Sequence, residues 1–151
     1  MPQSLSKLFV HIIFSTKDRF PFFTDENIKQ ETILYISKCV NNLDSQMIQI
    51  NIVKDHIHLL CNLSKIKSIS ELVAEIKRSS SLWLKTKGGK YSKFYWQRGY
   101  GAFSVSESQK DKTIQYIKNQ ENHHNKISFK DEMLKFLEKN KIKYNLEYLW
   151  D

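Results

Sequence analysis

Two histidines separated by a single aliphatic residue, His56 and His58, lie inside the apolar run Asp55-His56-Ile57-His58-Leu59-Leu60. Side chains alternate between faces along a β-strand. A strand here therefore projects both imidazoles one way and points Ile57 and Leu59 into a core on the other side. Two imidazoles side by side on a rigid strand make half of a divalent-metal site. The rest of the chain must supply the sheet around this strand and the groups that complete the site.

The neighbouring segments read as that sheet. Residues 7–15 (KLFVHIIFS) are rich in β-branched and aromatic side chains and predict a strand. Val10, Ile12 and Phe14 form one apolar face of it, and Phe9, His11 and Ile13 form the other. Residues 24–43 predict a helix, capped by Thr24 or Asp25, with Ile28, Thr32, Ile36, Cys39 and Leu43 at helical spacing. Residues 47–53 alternate apolar and polar side chains and pair with residues 56–63 as a hairpin across Lys54-Asp55. Ser68-Ile69-Ser70-Glu71 is a capping box. It opens a helix whose inward stripe is Ile69, Leu72, Val73, Ile76 and Trp83, and Gly88-Gly89 ends that element. Residues 94–105 (FYWQRGYGAFSV) are aromatic and extended, with Gly99 and Gly101 permitting a bend or bulge. A second capping box at Ser106-Glu107-Ser108-Gln109 opens a helix through about His124, and a last helix covers residues 128–139.

The order β-α-β-β-α-β is the ferredoxin-like arrangement, an α+β fold with both helices on one face of an antiparallel sheet. The added C-terminal helix carries Tyr116. With Ile57 and Leu59 under the first two helices, His56 and His58 fall on the other face, which this reading leaves open. By the same parity His11 shares that face.

Composition sets the setting. A length of 151 residues fits one domain, 1–151, with a real core. Four glycines and two prolines leave no linker or low-complexity stretch. No apolar run approaches the ~18 residues of a membrane span, and the N-terminus lacks a signal-peptide layout. Cys39 and Cys61 sit in apolar segments and read as small core residues. A cytoplasmic protein without membrane contact is the expectation. The net charge of +8 is unevenly placed, because residues 65–98 hold nine basic and two acidic side chains, nearly the whole excess. A concentrated basic block suggests a polyanion partner, with nucleic acid foremost, although a solvated lysine-rich face would look the same.

The third predicted helix adds chemistry. Tyr116, Gln120 and His123 stand at i, i+4 and i+7 on one face, and Ile114 and Ile117 supply the buried side. A tyrosine hydroxyl beside a metal-binding pair is a plausible nucleophile for phosphodiester cleavage, since a metal can polarise the phosphate. Gln120 can reach the same metal through its amide oxygen.

Several blocks now stand in order: HIIFSTKDR (residues 11–19), DHIHLL (55–60), SISELVAEIKRSSS (68–81), WQRGYGAFSVS (96–106), YIKNQENHH (116–124) and YLWD (148–151). Together they resemble the single-tyrosine HUH transposases of bacterial insertion sequences, the insertion-sequence-200-like transposases, almost end to end. The resemblance implies a DNA transposase that cleaves and rejoins single-stranded DNA at hairpin-bearing element ends. It implies that His56, His58 and Gln120 are the protein ligands of a magnesium or manganese ion (Mg2+ or Mn2+). It implies that Tyr116 attacks the scissile phosphate, giving a 5′-phosphotyrosine bond and a free 3′-hydroxyl. It also implies a homodimer with active sites shared between subunits. Lys77, Arg78 and Arg98 would then neutralise backbone phosphates, and Tyr95, Trp96, Tyr100 and Phe103 would stack bases or fill the core.

Other residues carry two readings each. His11 is a partner to the metal-binding imidazoles or a satisfied sheet histidine. His123 and His124 contact the scissile phosphate or cap the C-terminus of their helix, the capping role being the simpler. Asp55 orients an imidazole or serves only the turn. Two alternatives to the transposase stand beside it. One is a host-adapted relative that processes repetitive chromosomal hairpins. The other is a non-catalytic nucleic-acid binder of the same topology, which would place aromatics on an open sheet.

Overall fold

The structure, a computed structural model, describes residues 2–151. Four strands form one antiparallel sheet: β1 (Phe9–Ser15), β2 (Gln46–Val53), β3 (His56–Asn62) and β4 (Gly101–Val105). Their order is β2-β3-β1-β4, as the ferredoxin-like arrangement requires. Helices α1 (Glu26–Asn42) and α2 (Ile69–Lys85) cross one face. Val10, Ile12 and Phe14 of β1 and Ile57, Leu59 and Cys61 of β3 pack there against Ile36, Val40, Leu72, Val73 and Ile76. The strand parity read from the sequence holds on both central strands.

The helix ends follow local chemistry. Asp25, not Thr24, caps α1 by accepting from the backbone N–H groups of Asn27 and Ile28. Ser68 and Glu71 form the reciprocal capping box on α2. Ser80 replaces an apolar residue in the inward stripe of α2, and its hydroxyl accepts from Trp96 Nε1 at 2.9 Å.

Three expectations are corrected. Ser106 makes no side-chain cap; its hydroxyl meets that of Ser108, and a single 3-10 turn at Glu107–Gln109 precedes α3 (Lys110–Lys118). The single helix expected through His124 is broken at Asn119, so a separate short helix, α4 (Gln120–His124), follows. Of the extended stretch at 94–105, only Gly101–Val105 is a strand, and the segment before it touches the sheet through one bridge, Thr16 to Trp96.

The fourth correction bears on function. The second sheet face is not open. Ile117 of α3 packs on Phe9 and Leu60, while Phe129, Met133 and Leu137 of α5 (Phe129–Lys139) pack on Ile13 and Phe103. Phe9, Ile13, Leu60 and Phe103 would otherwise expose a contiguous apolar surface, which explains why the C-terminal helices fold back. A final turn, α6 (Leu146–Leu149), brings Trp150 beside Phe129. His11, His56 and His58 are therefore buried under α3, α4 and α5.

Candidate active site

The two imidazoles of β3 are held from behind. Asp55 Oδ1 lies 2.7 Å from His56 Nδ1. The Asp55 backbone is itself pinned, since its carbonyl accepts from Thr16 N at 2.8 Å and Thr16 Oγ1 at 3.1 Å. His11 Nε2 lies 2.8 Å from His58 Nδ1 across the β1–β3 ladder. Both Nδ1 atoms are thus occupied, and both Nε2 atoms turn away from the strand toward the C-terminal helices. Asp55 and His11 each stand at hydrogen-bond distance from one of the paired imidazoles, as an orienting role requires.

Glu132 of α5 meets those Nε2 atoms. Its Oε1 stands 2.9 Å from His58 Nε2, 3.0 Å from His124 Nε2 and 3.6 Å from His56 Nε2. His124 Nε2 is also 3.0 Å from His56 Nε2. One donor atom from each of His56, His58, His124 and Glu132 lies within 4.8 Å of all the others. Adjacent donors about a divalent ion bound at ~2.1 Å stand roughly 3 Å apart, and opposite donors roughly 4 Å. The spacing and the nitrogen-and-carboxylate chemistry of this buried cluster therefore fit a metal ion.

The second carboxylate oxygen serves the tyrosine. Tyr116 Oη donates to Glu132 Oε2 and lies 3.2 Å from His123 Nε2. The Tyr116 ring stands 5.8 Å from that of His58, edge to face, within the same chain. One carboxylate thus joins the histidine cluster to the hydroxyl.

Electrostatics follow from burial against this carboxylate. Burial pushes the His58 pKa down to about 4, although Glu132 partly offsets it. Burial and the neighbouring His58 push His11 down to about 3. His56 runs the other way: burial disfavours its charged form, but the Asp55 and Glu132 carboxylates outweigh burial and raise its pKa. Glu132 is buried, which favours its neutral form, yet the hydrogen bonds from His124, His56 and His58 hold it well below the usual carboxylate range. Tyr116 is raised, by burial first and by Glu132 second. The cluster thus holds neutral His58 and an ionised Glu132 at neutral pH, the protonation states that ligate metal.

Gln120 is fully buried at the start of α4. Its Nε2 donates to the Tyr116 carbonyl at 3.2 Å, and its Oε1 is buried with no hydrogen-bond partner. His123 and His124 do not serve as helix caps: their imidazoles turn to Tyr116, His56 and Glu132, and the backbone N–H of Asn125 closes α4 on the His123 carbonyl. Glu132, and the place of His124 beside His56 and Glu132, escaped the sequence reading. The signal for Glu132 was a carboxylate set in the apolar stripe Phe129, Met133, Phe136 and Leu137 of an amphipathic helix.

The residues expected at DNA separate. Lys77, Arg78 and Arg98 all line one surface groove, together with Tyr95 and Tyr100. Tyr95 and Tyr100 are exposed there, whereas Trp96 and Phe103 are core residues. Arg98 is exposed. Arg78 pairs with Glu75 at the surface. Lys77 turns inward over the Phe14 ring and donates to the carbonyls of Gln97 at 2.8 Å and Gly99 at 2.5 Å. It therefore braces the loop at 97–99. Cys39 and Cys61 are free thiols in or beside the core. No helix among the described residues is long and apolar enough to cross a membrane.

Comparison with known proteins agrees with this architecture. A protein of Deinococcus radiodurans R1 assigned as a transposase superposes with a TM-score of 0.62 at 22% identity, covering 80% of this chain and 95% of its own. A REP-associated tyrosine transposase bound to a REP hairpin superposes with a TM-score of 0.60 at 15% identity, covering 84% of this chain and 74% of its own. These likenesses establish the shared fold. No curated protein matches the sequence. The family model described as "Transposase IS200 like" matches residues 4–120, from before the first strand to Gln120. The chain belongs to the IS200-like transposase family.

Proposed function

We propose that this transposase, acting as one HUH domain over residues 1–151, cleaves and rejoins single-stranded DNA through a covalent 5′-phosphotyrosine on Tyr116. The observation that carries the reading is the meeting of the Tyr116 hydroxyl and the His56–His58 pair at one buried carboxylate, Glu132. The two histidines would hold a divalent ion with Glu132 and His124, and Gln120, one turn from Tyr116, is the further candidate ligand that the family resemblance supplies. When bound, the ion supplies charge neutralisation at the scissile phosphate. A nitrogen-rich donor set suits manganese better than magnesium, which prefers oxygen.

The chain's own groups account for the remaining steps. Tyr116 Oη attacks phosphorus in line. Its proton passes to the neighbouring His123 Nε2, 3.2 Å away. The O–P bond to tyrosine forms as the P–O3′ bond breaks, and the departing O3′ takes up a proton. Rejoining reverses these steps with a second 3′-hydroxyl and needs no nucleotide cofactor, because the phosphotyrosine keeps the energy of the phosphodiester. Burial and Glu132 keep Tyr116 protonated in the metal-free site, so the hydroxyl is unreactive until that carboxylate is engaged elsewhere.

The hairpin-bound neighbour supports a substrate with hairpin ends, with Arg78 and Arg98 beside Tyr95 and Tyr100 as the contact surface. A homodimer that shares its sites would exchange α3 between equivalent positions, each Tyr116 meeting the partner's histidine pair as it here meets its own. The covered sheet face weighs against the RNA-module reading, since there is no open platform of aromatics. The test is a denaturing gel of labelled single-stranded DNA from sequence flanking the gene, with and without Mn2+. A metal-dependent adduct that disappears in Tyr116→Phe and in His58→Ala is the expected result. Retarded but uncut DNA with all three proteins would overturn the proposal.

A further inference from the structure

We infer that the cleft between α3 and α5 is the path by which single-stranded DNA reaches Tyr116, and that Lys112, Lys135 and Lys139 grip its phosphates there. The inference rests on the proposed function for what Tyr116 does, but the cleft's charge stands on its own. The cleft has a volume of about 400 Å³ and is lined by these three lysines, with Tyr116, His123 and Glu132 deeper in it. Lys112 lies one turn before Tyr116 on α3. Lys135 and Lys139 lie three and seven residues after Glu132 on α5, which puts them on its face of that helix. The three ammonium groups therefore rim the same opening from two helices.

Their charge is uncompensated. All three lysines are exposed, and among the described residues none has a carboxylate within ion-pair distance. The only acidic side chain lining the cleft is Glu132, which is buried and engaged with the imidazoles and the tyrosine. A second opening reaches the cluster beside His124 and Asp55. Its buried lysine, Lys29, is already paired with Glu121 and Glu26, and Asp55 and Glu121 line it. Exposed Lys54 lines that opening too, but the carboxylates of Asp55 and Glu121 offset it, so the α3–α5 cleft is the more cationic of the two approaches. Tyr116 is half-buried within it, so a phosphate must descend to the hydroxyl. A flexible single strand can do this, whereas duplex DNA, stiff over ~50 nm, cannot. The half-buried Phe136 ring, 5.7 Å from that of Tyr116, adds an apolar wall against which a base or sugar can rest.

The test uses the full chain with Tyr116→Phe, so that binding is separated from chemistry, and a fluorescent unstructured dT oligonucleotide as probe. Affinity is measured across a salt series. Replacing Lys112, Lys135 and Lys139 together by Gln is expected to weaken binding by about tenfold or more and to lower the log–log salt slope by about 2, at ~0.7 per phosphate contact. The triple Lys→Arg variant should restore both. A control triple at Lys38, Lys65 and Lys143, exposed and outside the cleft, should change them less. Equal losses in the two triples, or an unchanged affinity and slope in the cleft triple, would overturn the inference. If the pattern holds but the native tyrosine forms no covalent adduct, the cleft stands as a DNA path and the proposed chemistry falls. A melting temperature within a degree or two of the parent shows that the variants remain folded, as exposed unpaired cations predict.

Discussion

Glu132→Gln separates two candidates for the donor that completes the histidine pair. The family resemblance points to Gln120, and the geometry points to Glu132. Glutamine keeps the shape of Glu132 but removes its charge and turns one acceptor oxygen into a donor. In the metal-free chain the bonds from His58 and His124, at 2.9 and 3.0 Å, pass from charge-assisted to neutral. Each weakens by ~1 kcal/mol, so the variant loses on the order of 2 kcal/mol of folding stability. The effect on metal is larger. Groups that merely orient a ligand cost 10–100-fold in affinity when removed, so losing an anionic donor places the change at about 100-fold or beyond, ~2.8 kcal/mol. Isothermal titration of Mn2+ into the native chain, Glu132→Gln and Gln120→Ala reads the difference without DNA. The expected order is a large loss for Glu132→Gln and a small one for Gln120→Ala, because the Glu132 carboxylate is charged and stands against the imidazoles of His58 and His124, whereas the Gln120 amide is neutral. If Gln120→Ala abolishes binding while Glu132→Gln matches the native chain, the geometric assignment is wrong. The buried, unpartnered Gln120 Oε1 would then be the donor.

The same geometry fixes three further outcomes. Asp55→Asn and His11→Phe each remove the group that fixes one imidazole, so Mn2+ affinity should fall by ~10–100-fold while the sheet stays intact; unchanged titrations would make both mere packing residues. Gly101→Ala puts a Cβ 3.0 Å from the Phe103 ring and 3.1 Å from Met133 Sδ, so both side chains must give by a few tenths of an ångström at a cost of ~1–3 kcal/mol, seen as a drop of several degrees in melting temperature; an unchanged melt would mean that the Met133 side chain yields freely. Burial lowers the Lys77 pKa from 10.5 to about 8. Between those values the unfolded chain holds a proton that the folded chain has released, so this group makes stability rise with pH from about 8 to 10.5, and Lys77→Met should flatten that rise in a pH series of urea melts.

Much of the fold was legible because its signals are local. The alternation in β1 and β3 sets which residues face α1 and α2, and capping by Ser68 and Glu71 marks the start of α2 to the residue. The break at Asn119 had no such mark. Residues 106–124 carry a continuous helical pattern, and the interruption serves to bury Gln120 and turn His123 and His124 inward. In the site, spacing revealed the His56–His58 pair and the place of Tyr116, because each lies on one regular element. The partners of these residues come from elsewhere in the chain. His11 reaches His58 diagonally across strands 47 residues apart, and Glu132 arrives on a helix whose docking no local pattern announces.

That docking links the fold to its chemistry. The family match ends at Gln120, yet His123, His124 and Glu132 all lie beyond it. Phe9, Ile13, Leu60 and Phe103 make the second sheet face too apolar to leave bare, so the chain after Gln120 must return and cover it. Covering that face is also what buries the histidine pair and excludes water around it. A wholly apolar cover would satisfy the sheet but leave the buried Nε2 atoms of His56 and His58 without partners. Placing one carboxylate, Glu132, in the covering stripe resolves this, since its two oxygens satisfy the imidazoles on one side and the tyrosine on the other. The same placement forces the site's composition: any ion that enters must share Glu132 with the histidines. Any ion that does so also weakens the hold of that carboxylate on the Tyr116 proton. On the proposed mechanism, metal loading and release of the Tyr116 proton are therefore coupled through one side chain on α5.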